Sequence, residues 1–347
     1  MASDTDDLIV ERPEGLYCPP GRFHIDPWRA VDRAVITHAH ADHARAGHRH
    51  VLAVAASEPV LRARLGSVPM QGLGYGEVVQ MNGVRVSLHP AGHVFGSAQV
   101  RVEHRGRVWV ASGDYYLSEH DESNPTCAAF EPLRCDCFVT ESTFGLPLYR
   151  WRPQHETLAQ INAWWRDNAR ECRPSLLAAY SFGKAQRLLA GVDASIGPIV
   201  VHRSVDAMNA ACRAAGMRLP ATLAWSAIES RAQLSEALVI APPMALADAS
   251  MHLPGGASRA FASGWMQLRH HRRQRGFDRG FVLSDHADWP GLQRAIRATG
   301  ARRVIVTHGH EAVMVRWLRE QGLQAGTFAT PFGASPDGDA DPVADSP

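Results

Sequence analysis

Ala34-Val35-Ile36-Thr37-His38-Ala39-His40-Ala41-Asp42-His43 is the stretch that decides the fold. Its apolar start reads as a buried strand. Four side chains able to bind metal follow within the six residues His38 to His43. Packing explains that spacing poorly, and a plain polar loop is the bland alternative. One wall of a two-metal hydrolase site explains it simply.

Composition leaves room for such an enzyme. At 347 residues and 45% hydrophobic, the chain can bury a full core and form two domains. A net charge of +1 exerts no global pull on nucleic acid, so such affinity must come from a local patch. The six cysteines lack the density of a disulfide scaffold, and zinc-finger spacing is absent. Cys135 and Cys137 should point to opposite faces of a strand. The start of the chain is acidic, and no apolar run reaches the length of a membrane span. No membrane association is expected, and the expected location is the cytoplasm. The 18 histidines are the unusual count.

Two short strands are expected around Gly15, then a strand at 33–37 and a helix near 57–65. Val84–Leu88 alternates as a strand into Pro90-Ala91-Gly92-His93, and residues 98–111 read as a hairpin opening into Ser112-Gly113-Asp114. Phe138-Val139-Thr140 leads to Glu141. After about residue 150 strands and helices alternate, which predicts an α/β layer with a parallel sheet. Near residue 280 the first pattern returns, with Phe281-Val282-Leu283 ending in Ser284-Asp285-His286 and Arg303–Thr307 ending in His308. The boundaries this gives are 1–150, an insertion at 151–278, a return at 279–332, and a disordered tail at 333–347.

Polar groups thus gather at strand ends, where scaffolds hold catalytic groups. Imidazole with carboxylate suits zinc or manganese. In a workable division His38, His40 and His93 bind one ion, Asp42, His43 and His308 the other, and Asp114 bridges. Two ions ~3.5–4 Å apart can share a hydroxide at neutral pH. Asp26, before Pro27, is either a turn carboxylate or the acceptor that fixes a ligand histidine's tautomer.

The His38-x-His40-x-Asp42-His43 signature, His93 and Asp114 resemble the metallo-β-lactamase superfamily. Glu141 in Thr140-Glu141-Ser142-Thr143, His286 in Leu283-Ser284-Asp285-His286, and His308 in Val306-Thr307-His308-Gly309 resemble the further motifs of its β-CASP nucleases. Ser181-Phe182-Gly183-Lys184-Ala185-Gln186 resembles the start of the β-CASP domain. Phe23-His24-Ile25-Asp26-Pro27-Trp28, Ala262-Ser263-Gly264-Trp265-Met266 and Gly280–Trp289 look most like bacterial ligase-associated DNA exonucleases. The resemblance implies an α/β fold: an αββα sandwich with an inserted β-CASP α/β domain. It implies two divalent metal ions, zinc or manganese, and no nucleotide cofactor. Asp42 and Asp114 join the catalytic set. It also implies that His286 protonates the leaving oxygen, oriented by Glu141; a histidine suits that task near neutrality. DNA, single-stranded or as duplex ends, is the implied partner, with a DNA ligase and a helicase as associates.

Arg269, Arg272, Arg273 and Arg275 form a concentrated basic run, read either as solvated surface or as phosphate contacts beside the substrate. Ser181, Gly183 and Lys184 stand at a strand-to-helix junction, where free amides and a lysine can hold a phosphate; this is not a P-loop. Trp265 reads as core or as a base-stacking platform. The leading expectation is a metal-dependent DNA exonuclease acting in DNA repair through a metal-bridged hydroxide, with 5′ polarity resting on resemblance alone. An RNA nuclease of the same mechanism is the alternative. His308 favours it, because eukaryotic DNA-repair β-CASP enzymes often carry valine there. Thioester or lactam hydrolysis leaves the insertion, the Glu141/His286 pair and the arginines unexplained. A non-enzymatic binding module leaves the complete ligand set unexplained.

Overall fold

The computed structural model describes residues 7–118, 120, 122–247, 251, 256–268 and 276–329. Arg269, Arg272, Arg273 and Arg275, and the expected tail at 333–347, lie outside the described residues. The chain forms two compact units, one ending at Arg150 and resuming at His286, the other running Trp151–Asp285.

The first unit holds two sheets. Six strands from Val10–Arg12 to Met70–Leu73 pair in chain order. The second sheet has seven strands, ordered Gln324–Thr327, Arg303–Gly309, Cys137–Ser142, Arg107–Ala111, Ala98–His104, Val84–Pro90 and Val78–Met81. Phe23, Ile25, Val35, Leu52 and Val54 of the first sheet share one core with Val84, Val86, Leu88, Val100, Val102 and Val139 of the second. Alternation in Val84–Pro90 follows from this: Val84, Val86 and Leu88 are buried while Arg85 is exposed. Cys137–Ser142 is buried throughout because its other face, with Phe138, meets Leu292 and Ile296 of helix Trp289–Thr299 and Met314 and Leu318 of helix Glu311–Glu320. Asp288 caps the first of these helices by accepting from the Gly291 amide at 2.9 Å, and Gly300 ends it in the left-handed region. The hairpin of Ala98–His104 and Arg107–Ala111 turns on Arg105 and Gly106, both at positive φ, as a two-residue turn of this hand requires.

The second unit is built on a parallel sheet of six strands, ordered Leu223–Ala224, Ile199–Val201, Leu238–Ala241, Ser175–Ala178, Ser258–Ala262 and Arg279–Phe281. Helix Gln154–Arg170 covers it with Ile161, Trp164 and Trp165, beside Leu188 and Leu189 of helix Lys184–Gly191. Here one expected boundary is corrected. Arg279–Phe281 pairs in parallel with Ser258–Ala262, and Phe281 and Leu283 belong to this unit's core. The return to the first unit starts at His286, not at residue 279. Trp265, 5% exposed, is a core residue and not a stacking platform.

Candidate metal centre

Strand direction brings the polar groups together. Phe23–Ile25 and Arg33–Val35 run parallel and lead into Asp26 and His38. Arg107–Ala111, Cys137–Ser142 and Arg303–Gly309 are also mutually parallel, and lead to Asp114, Glu141 and His308. The pairing of the last two strands shifts register between Thr140 and Ser142, an irregularity that re-aims the side chains next to it, Glu141 and His308. Gly309, at φ 93°, sits where a Cβ would come within 2.3 Å of the Ser142 carbonyl carbon, so only glycine fits. Gly113 is similar: at φ 55° its Cβ would stand 2.8 Å from Thr37.

His40 Nδ1 lies 3.1 Å from both His38 Nε2 and His93 Nε2. Nitrogens on one tetrahedral zinc at ~2.0–2.1 Å stand ~3.3–3.4 Å apart, so the three histidines fit a single ion. Asp114 Oδ2 is 3.5 Å from His38 Nε2, 3.8 Å from His93 Nε2 and 3.2 Å from His43 Nε2, while its Oδ1 is 3.2 Å from His308 Nε2. One carboxylate thus faces both sets. Asp42 Oδ2 stands 3.5 Å from His43 Nε2. His43 Nε2 is buried with no aligned hydrogen-bond partner among the described residues, which a cation would remedy. Groups of this kind, able to hold metal, are His38/His40/His93/Asp114 and His43/Asp114/His308.

Asp26 meets the other side of these ligands. Its Oδ2 is 2.7 Å from His43 Nδ1 and accepts from the Thr37 hydroxyl at 2.5 Å; its Oδ1 accepts from the Thr37 amide at 2.7 Å. The Thr37 hydroxyl lies 3.0 Å from His38 Nδ1 and, since its own O–H donates to Asp26, is placed to accept from that nitrogen. One carboxylate therefore fixes two imidazoles with their Nε2 lone pairs toward the centre. Asp26 holds φ 43°, a left-handed conformation rare for a residue other than glycine. Asparagine tolerates that region, so Asp26→Asn isolates the carboxylate. It is expected to weaken metal binding by about 10–100-fold, read by competition with a chelator.

Charge balance follows from the same contacts. Burial pulls His43 down, yet Asp114, Asp42 and Asp26 together hold it well above its ordinary value. His308 is raised too, since its bond to Asp114 outweighs burial. Burial, with His43 and His40 beside it, keeps His38 well below its ordinary value. Burial would raise Asp114, but His43 and His308 hold it well below the usual carboxylate range. A raised pKa keeps a proton that a metal must displace, so loading at neutral pH is expected to release protons and to weaken as pH falls. Calorimetry in buffers of different ionisation enthalpy checks this.

The second half of the site is Glu141 and His286. His286 Nδ1 is 3.0 Å from both Glu141 oxygens. Glu141 also accepts from the Tyr115 amide at 2.9 Å and from the Thr143 hydroxyl, so its carboxylate is fixed in place. Asp114, Glu141 and His286 each offer an atom within 4.8 Å of the others. Sequence reading missed the supporting groups Thr37, Thr143, Asn124 and Ser97. Asn124 donates to the His93 carbonyl at 2.8 Å, and the Ser97 hydroxyl accepts from the His93 amide at 3.2 Å. Only Thr37 and Thr143 carried a signal, as hydroxyls next to a motif.

The residues of the expected phosphate cradle in the second unit make bonds within their own fold. The Ser181 hydroxyl pairs with that of Ser204 at 2.7 Å, the Gly183 amide donates to Gln186 at 2.8 Å, and Lys184, 4% exposed, pairs with Asp285 at 2.8 Å. Each of these groups has a partner within the fold. No helix among the described residues is long and apolar enough to cross a membrane.

No family model matches the chain. A protein named Probable DNA ligase from Opitutus terrae is 30% identical over 320 residues, covering 91% of this chain and 30% of that protein. Endoribonuclease YSH1 of Yarrowia lipolytica is 29% identical over 40% of this chain and 16% of its own. Cleavage and polyadenylation specificity factor 73 of Drosophila melanogaster is 26% identical over 36% of this chain and 18% of its own. This chain therefore spans under a third of each of these relatives. A crystal structure of a protein of unknown function from Enterococcus faecalis shares the fold, with a TM-score of 0.56 at 12% identity over 87% of this chain and 80% of that one. With the strand-end ligands, the Glu141/His286 pair and the inserted parallel-sheet unit, the chain belongs to the β-CASP group of the metallo-β-lactamase superfamily.

Proposed function

We propose that this chain is a metal-dependent nuclease that hydrolyses DNA from an end. The observation that carries the reading is Glu141 and His286 beside Asp114, a carboxylate–imidazole pair next to residues that can hold metal. His38, His40 and His93 would hold one divalent ion, Asp42, His43 and His308 a second, with Asp114 shared. When bound, such ions supply Lewis acidity and a nucleophile at neutral pH.

The protein's own residues supply the rest. Glu141 engages His286 Nδ1, which leaves Nε2 to carry a proton toward a leaving oxygen, and its negative charge favours the imidazolium. Asp26 and Thr37 hold His38 and His43 in the ligating tautomer. DNA is preferred over RNA because the relative named for DNA ligation aligns over 91% of this chain, while the two endoribonuclease and polyadenylation-factor relatives align over 40% and 36%. RNA hydrolysis is the second reading, favoured by the names of those shorter matches. A DNA ligase and a helicase are proposed partners.

Digestion of end-labelled single- and double-stranded DNA and matched RNA, with manganese or zinc, tests this. DNA shortened stepwise from one end is the expected result. Internal cuts in RNA alone would establish the second reading, and no cleavage of either polymer would remove both.

A further inference from the structure

The chain passes into the second unit after Arg150 and leaves it after Asp285, so the first residue of the return is His286. Inside the second unit one guanidinium holds both ends of the insertion. Arg187, 1% exposed, donates from Nη1 to the Ser284 carbonyl at 2.5 Å and to Asp285 Oδ1 at 3.0 Å. Its Nε and Nη2 donate to Gln154 Oε1 at 3.2 and 3.0 Å. Lys184 Nζ takes the other oxygen of Asp285 at 2.8 Å. The Thr157 hydroxyl adds a bond to the Val282 carbonyl at 3.3 Å. In the first unit the same crossing is pinned again, since the Trp289 amide donates to the Tyr149 carbonyl at 3.1 Å and the Ala287 amide to the Tyr115 carbonyl at 2.8 Å.

A buried ionic cluster is a poor source of stability, because apolar packing of similar volume often does as well or better. What it supplies is direction: the donors of a planar guanidinium point along fixed lines, so four bonds to Ser284, Asp285 and Gln154 restrict how those groups can lie. Here that geometry fixes the two residues that precede His286. We propose that Arg187, Lys184 and Asp285 form a positioning clamp that sets the register of the returning chain, so that the His286 imidazole meets Glu141. The bonds given above for Arg187, Lys184 and Asp285 are all made to residues of the second unit. This inference rests on the reading of His286 as the proton donor.

A proton donor matters for a basic leaving group and not for one that departs unaided, which gives the test its readout. Asp285→Asn, Gln154→Ala and His286→Ala are assayed on the cleaved oligonucleotide and on bis(p-nitrophenyl) phosphate, whose phenolate leaves without a proton. Metal content and Tm are measured on each. Asp285→Asn is expected to lower kcat on the oligonucleotide by ~10–100-fold, as small misplacements of a reacting group do, with KM and turnover of the phenyl ester unchanged. Gln154→Ala removes a neutral acceptor, strands no charge, and should show the same selectivity at ~3–10-fold, so it decides the matter if Asp285→Asn does not fold. If His286→Ala is selective but the clamp variants lose both substrates equally, or neither, the clamp is overturned. If His286→Ala itself loses both equally, the proton-donor reading fails instead.

Discussion

Replacing His286 with alanine is expected to leave metal content unchanged while lowering turnover of the oligonucleotide by about 10²–10⁴-fold. The imidazole is 3% exposed and held 3.0 Å from both oxygens of Glu141, so it is already positioned before substrate arrives. Alanine removes the transferable proton and the charge that Glu141 balances. It does not remove a nitrogen from the cluster of His38, His40 and His93, which face one another directly. Glutamine at position 141 should give a milder loss of the same kind, since it can still accept a bond but no longer stabilises an imidazolium. Single-turnover rates with metal analysis check both. Unchanged turnover in His286→Ala would reject the role.

Asp114→Asn should do the reverse and lose metal. Its Oδ2 faces members of both sets, His38 and His93 of one and His43 of the other, and its Oδ1 faces His308. An amide offers one neutral oxygen in place of two sharing a negative charge, and places an N–H donor against histidine nitrogens. Loss of affinity beyond the ~100-fold upper range for removing an outer partner is expected, and activity should fall with it. Metal analysis after dialysis against a weak chelator reads the result. Full occupancy in Asp114→Asn would deny the bridging position.

Much of this site was legible because its ligands are local. His38, His40, Asp42 and His43 lie in one loop, and each remaining ligand ends a strand with a recognisable apolar run. What the sequence hid were partners chosen by the fold. Lys184 reads as a free cation beside a helix start, but its counter-charge Asp285 arrives from the far end of the insertion. Asn124 holds the His93 carbonyl from 31 residues away, a distance that no local pattern records. Phe281-Val282-Leu283 reads alike in any parallel sheet, which is why its membership in the second unit's sheet was not foreseen. The short strands His50–Val54 and Met70–Leu73 were also missed, the second because Gln71 and Gly72 give it no alternation.

Anomalous X-ray scattering from crystals grown with manganese or zinc tests the centre most directly. Two peaks are predicted, one among His38, His40 and His93 and the other among Asp42, His43 and His308, with Asp114 reaching both. A saturated crystal with one peak away from Asp114, or with none at these residues, would contradict the two-metal centre on which the proposed hydrolysis rests.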